Sequence, residues 1–233
     1  MELTEHYTTL YKEAVRKISD NTYDIDQLID SPSDKRLGIT LIIRPSSEVK
    51  DNILEFLDEM RIIDPNQYYY PKSDIHITVL SIISCYNGFN LSQINVSEYR
   101  EIIKKSIASM QCFNVEFKGV TASSSCIMIQ GFPENNIIND IRNNLRILLK
   151  ESNLEHAVDK RYEISTAHST VVRFRENLID VKGSLKLLEK YINFSFGSFE
   201  VNSLEFVFND WYLRTNNCRK LKEYYLPSKK IVT

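Results

Sequence analysis

Apolar residues recur at helical spacing from the first turn of the chain. Leu3, Tyr7, Leu10, Ala14 and Ile18 fall on one stripe and predict an amphipathic helix over residues 1–19. The polar turn cluster "DSPSDKR", residues 30–36, closes this N-terminal extension of residues 1–35. A continuous apolar run, "LGITLIIRP", then predicts a buried strand stopped by Pro45. Ser46 or Ser47 can cap the helix that follows, with Val49, Ile53, Phe56 and Met60 on its apolar face. "DPNQYYYPKSD" is expected to be a loop, leading into the strand "DIHITVL". A further helix is predicted over residues 97–110, through Tyr99, Ile102, Ile103, Ile107 and Met110.

The second half has a similar plan. "CFNVEFKGVTA" and "SSCIMIQGF" predict two strands around the serines at 123–125. A helix over residues 135–150 carries Ile137, Ile138, Ile141, Leu145, Leu148 and Leu149. The strand "AHSTVV" comes next, then a helix marked by Leu178, Val181, Leu185, Leu188 and Ile192. "FGSFEVNSLEFVFND" and "WYLRTNNCRKLKEYYL" are expected to close the chain as antiparallel strands. Strands alternating with helices imply an α/β or α+β class, and the C-terminal strands favour a mixed or antiparallel sheet.

Two of these strands contain an unusual pair of side chains. His76 and Thr78 lie in "DIHITVL", and His168 and Thr170 in "AHSTVV". Side chains alternate along a strand, so each histidine shares a face with its threonine. Ile75, Ile77 and Val79 take the other face of the first strand, and Ser169 and Val171 that of the second. One such motif is more often a satisfied core histidine. Two in similar settings suit general acid–base chemistry: one imidazole takes a proton from a nucleophile and the other gives one to a leaving oxygen. The hydroxyls can hydrogen-bond the non-bridging oxygens of a phosphate. A third H-x-T, at His6, lies in the predicted first helix, where that spacing does not put the two side chains on one face. No Gly-rich phosphate loop or G-x-S-x-G elbow competes, and this arrangement requires neither metal nor cofactor.

Composition narrows the substrate. The 233 residues are 42% hydrophobic and 26% charged, with a formal net charge of -2, as expected of a soluble globular protein. Proteins that track long nucleic acid usually carry a basic excess, so long-duplex binding is not expected and phosphate recognition must be local. The four cysteines, Cys85, Cys112, Cys126 and Cys218, have no metal-ligand spacing and are expected to be reduced thiols. The apolar runs are too short to span a bilayer, and the N-terminus reads as neither signal nor transit peptide. A cytoplasmic location without membrane contact is the expectation.

The two motifs, "HITV" at 76–79 and "HSTV" at 168–171, resemble those of the two-histidine (2H) phosphoesterase superfamily. That group includes 2′-5′ RNA ligase-like proteins and cyclic phosphodiesterases. The similarity runs over about residues 36–212 and takes in "LGITLIIRP" as an opening strand. It implies an α+β, bilobal fold over residues 36–233, with two mixed or antiparallel sheets flanked by helices around a central groove. It also implies metal-independent chemistry on a nucleotide or a short RNA end, with His76 and His168 as the acid–base pair. Thr78 and Thr170 would then be the phosphate-binding hydroxyls. Some members carry an arginine soon after the second motif, where Arg173 stands, although simple alternation puts Arg173 on the face opposite His168. Tyr70 and Tyr162, just before the two motifs, are candidates for stacking on a base. The expected reaction is hydrolysis of a 2′,3′-cyclic phosphate. The alternatives are a non-catalytic module that binds RNA ends or nucleotides, and 2′-5′ RNA end-joining.

Overall fold

A computed structural model describes residues 3–158, 160 and 164–229. Helix α1 (Leu3–Ser19) turns Tyr7, Ala14 and Ile18 inward, as its stripe predicts. It is followed by β1 (Arg36–Ile43), α2 (Ser47–Ile63), β2 (Tyr68–Tyr69), β3 (Ile77–Asn87) and α3 (Val96–Ser106). The chain continues through β4 (Phe113–Ala122), β5 (Cys126–Pro133), α4 (Ile137–Lys150), β6 (Ser169–Arg173) and α5 (Val181–Lys190). It ends in β7 (Ser195–Val201), β8 (Ser203–Asp210) and β9 (Arg219–Tyr225). Among the described residues, no helix is long and apolar enough to cross a membrane.

The strands form two antiparallel sheets, one of four strands in the order β3-β1-β8-β9 and one of five in the order β2-β6-β5-β4-β7. This is an α+β architecture. The six residues of β1 from Gly38 to Ile43 are all buried, which is why its sequence is an unbroken apolar run rather than an alternation. One continuous hydrophobic core joins residues of both sheets and all five helices. Helix α2 starts where Ser46 accepts the Val49 N–H at 3.4 Å, one of the two caps expected.

Four elements depart from the sequence expectation, one being "WYLRTNNCRKLKEYYL", of which only Arg219–Tyr225 is strand. The third helix ends at Ser106, four residues before the expected end. The Tyr68–Tyr70 segment is not all loop: Tyr68 and Tyr69 pair with Arg173 and Val172, adding a short edge strand to the sheet of the second histidine motif. "FGSFEVNSLEFVFND" is two strands, not one. β7 pairs with β4 in the larger sheet, and β8 pairs with β1 and β9 in the smaller. The chain crosses between sheets at Asn202. The smaller sheet therefore joins two strands from near the start of the chain to the last two, and the larger takes the short β2 from the first half.

The N-terminal segment is tied into this body. The Tyr7 hydroxyl donates to the Gly131 carbonyl and accepts the Gly131 N–H, each at 3.2 Å, while Thr121 Oγ1 donates to Tyr7 O at 3.1 Å. Gly131 also needs its missing side chain, because a Cβ there would meet the Ala167 carbonyl oxygen at 2.0 Å. Gly131→Ala is therefore expected to force the chain beside His168 outward and to cost about 1–3 kcal/mol, as overpacked cores do. Urea denaturation checks this, and unchanged stability would mean that residues 165–167 yield freely.

Candidate active site

His76 sits where a turn runs into β3. The Asp74 N–H donates to Pro71 O at 2.9 Å, closing the turn. The buried Asp74 carboxylate accepts from Thr215 N at 3.1 Å, Thr215 Oγ1 at 2.5 Å and Ser73 Oγ at 2.7 Å. The turn is thus fastened to the connection between β8 and β9. The Asp74 carbonyl lies 2.6 Å from His76 Nδ1. A carbonyl can only accept, so Nδ1 carries the hydrogen and a neutral His76 keeps its lone pair on Nε2. Ile75, Ile77 and Val79 are fully buried on the opposite face and anchor the strand.

His168 occupies the equivalent place before β6, in the other sheet. Its Nδ1 lies 2.6 Å from Thr166 Oγ1. Ser169 and Val171 are fully buried, as alternation requires. Beyond Thr170 the alternation breaks. Met128 pairs with Thr170 but Ile127 pairs with Val172, so Val171 is an extra residue in β6. Val171 and Val172 are both buried, and Arg173 returns to the side of His168. Strict alternation fails for Arg173 because of this one bulge. On its other edge β6 keeps its register with the Tyr68–Tyr70 segment, and the Val171 carbonyl accepts the Tyr70 N–H at 3.0 Å. Arg173 Nε then donates to the Tyr70 hydroxyl at 3.0 Å, and its guanidinium lies 5.6 Å from the centre of the Tyr212 ring.

One cavity, of about 180 Å³, is lined by His76, Thr78, His168, Thr170, Arg173 and Tyr70. Thr40, Trp211 and Asn209 extend its wall, and no motif in the sequence marks them. Two supports were legible but missed: Asp74 and Thr166 each lie two residues before a histidine and hold its Nδ1. Tyr162 lies outside the described residues. Among the described residues, no group of three or more His, Cys, Asp or Glu could hold a metal ion.

The cavity is hostile to positive charge. Burial, reinforced by Arg44, His168 and Arg173, pulls His76 down to about 4. Burial together with Arg142, Arg173 and His6 pulls His168 down to about 4. Burial pushes the Tyr70 hydroxyl up to about 12, so it stays a neutral phenol beside Arg173. Both imidazoles are therefore neutral at pH 7, and among the described residues that line the pocket the permanently charged group is the Arg173 guanidinium.

The fold places this chain among known structures. TT0787 of Thermus thermophilus superposes with a TM-score of 0.59 at 13% identity, over 84% of this chain and 100% of that one. A solved phosphoesterase gives 0.54 at 13% identity, over 83% and 99%. E. coli LigT in complex with 3′-AMP gives 0.53 at 11% identity, over 83% and 99%. The chain has the two-histidine phosphoesterase fold, the one its paired motifs resemble. No family model matches it, and no curated protein matches it by sequence.

Proposed function

We propose that this chain is a phosphodiesterase that hydrolyses a 2′,3′-cyclic phosphate on a nucleotide or RNA end, with His76 and His168 as its acid–base pair. One observation carries this reading. Two histidines from different sheets, each with a hydroxyl two residues on, line the same cavity beside one arginine. E. coli LigT, which shares the fold, has been crystallised with 3′-AMP and with phosphate, and the arginine and two hydroxyls of the present cavity suit a nucleotide phosphate.

In the proposed reaction, one neutral imidazole removes a proton from water as the water oxygen forms a bond to phosphorus. The bond from phosphorus to one ribose oxygen breaks, and the other imidazole, protonated, gives its proton to that oxygen. Arg173 and the Thr78 and Thr170 hydroxyls would hold the non-bridging oxygens as their charge builds. No step calls for a metal. The protonated imidazole needs a counter-charge, because the pocket alone holds both histidines near 4. The substrate's phosphate anion supplies it.

Turnover of 2′,3′-cyclic nucleotides is expected to persist in EDTA. Both imidazoles titrate at about 4 in the free chain, so at pH 7 the acid mostly lacks its proton and kcat/KM is expected to rise as the pH is lowered toward about 4. Loss of activity in EDTA, or a kcat/KM that climbs steadily to pH 9, would count against the mechanism. Nucleotide binding in calorimetry without product would favour a binding module, and joining of tRNA halves would favour ligation.

A further inference from the structure

We propose that Arg142 is a positioning residue of this site, a single buried guanidinium that sets the spacing between the two histidine strands. Arg142 projects from α4 and is 1% exposed. Its Nε donates to Val79 O at 2.8 Å, and its Nη2 donates to Thr78 O at 3.2 Å and to Thr166 O at 2.7 Å. Nη1 donates to Asn139 Oδ1 at 2.9 Å, which orients the group from its own helix. Thr78 follows His76 by two residues, and the Thr166 hydroxyl holds His168 Nδ1. One rigid plane therefore touches the backbone of the first motif and of the segment just before the second.

The local register explains why an arginine is needed. Leu41 pairs with Leu80 but Ile42 pairs with Thr78, so β3 slips by one residue at Val79, as β6 does at Val171. Such a slip disrupts ladder bonding at that point. β6 has strands on both sides, whereas β3 is an edge strand, and Arg142 serves its Thr78 and Val79 carbonyls. Packing α4 on the body does not require a charge there, since Ile138, Ile141, Leu145 and Leu149 are buried on the same helix. A planar fork can reach three carbonyls at fixed angles; a lysine ammonium on a flexible stem cannot. Arg146, one turn on, donates to Ile164 O at 3.3 Å and steadies the same incoming segment.

The proposal rests on the acid–base reading of the two histidines, and its test separates the two. Arg142→Lys keeps the charge and loses the fork, so kcat is expected to fall about 100-fold, the cost of an ångström of misplacement, with KM nearly unchanged. Arg142→Met also removes the charge. Among the described residues, the charged and titratable groups facing His168 are Arg142 from α4, Arg173 from β6, His6 from α1 and His76 across the cavity. Without Arg142, NMR titration of the imidazole protons should show His168 binding its proton at higher pH, while His76 moves little. In Arg142→Lys neither should move. A merely structural arginine would lower the melting temperature and leave kcat per folded molecule as in wild type. That outcome, or failure of both variants to fold, would overturn the proposal. A wild type that turns over no phosphodiester would instead overturn the functional reading, and the imidazole titrations would still decide whether Arg142 addresses the His168 strand.

Discussion

Alanine at His76 or at His168 is expected to lower turnover of a 2′,3′-cyclic nucleotide by about 10³–10⁴-fold, with the double variant little worse than either single one. The magnitude is that of a removed general acid or base working at its upper range. The non-additivity follows from the chemistry: proton removal from water and proton delivery to the ribose oxygen serve one transition state, so losing either group forfeits most of what both supply. Binding should survive, because Arg173, Thr78 and Thr170 remain in the cavity. Steady-state kinetics on the three variants, with nucleotide affinity measured by calorimetry, would test this. Near wild-type kcat in either single variant would remove that histidine from the mechanism.

The second large effect concerns stability. Both imidazoles bind a proton only at about 4 in the folded chain, against about 6.5 for an unperturbed histidine. Between those values the unfolded chain binds more protons than the folded one, so stability must fall as the pH drops from about 6.5 to about 4 and level off below. A shift of this size corresponds to about 3 kcal/mol per histidine. Carboxylates held down by partners, such as Asp34 beside Arg36 and Glu59 beside Lys190, add their own losses at lower pH. The contribution of the histidines is isolated by subtraction. His76→Gln/His168→Gln should lose much less stability than wild type in urea titrations between pH 7 and pH 4.5, and should be the more stable protein at the acid end. Parallel losses in the two proteins would mean that burial does not hold these imidazoles neutral. The site is thus expected to weaken the fold at acid pH, because it buries two bases that no carboxylate among the described residues pairs.

Much of this was legible in the chain itself. Helical stripes located α1, α2, α4 and α5, and the apolar run at residues 37–43 located β1, because periodicity is a local consequence of backbone geometry. The same alternation put His76 with Thr78, and His168 with Thr170, and buried Ile75, Ile77, Val79 and Ser169 opposite them. The tertiary structure decided everything that depends on which backbones meet. It split residues 195–210 between two sheets, made Tyr68 and Tyr69 an edge strand, and brought Arg173 round by an extra residue at Val171. It also brought Arg142 to carbonyls of β3 and of the segment that leads into β6. Side-chain direction along one strand follows from its own pleat, whereas register, bulges and the partners of freed carbonyls follow from hydrogen bonds to segments far away in the chain. The sequence alone therefore determined two motifs with the right residues on the right faces. Only the packing of the two sheets turned them into one cavity.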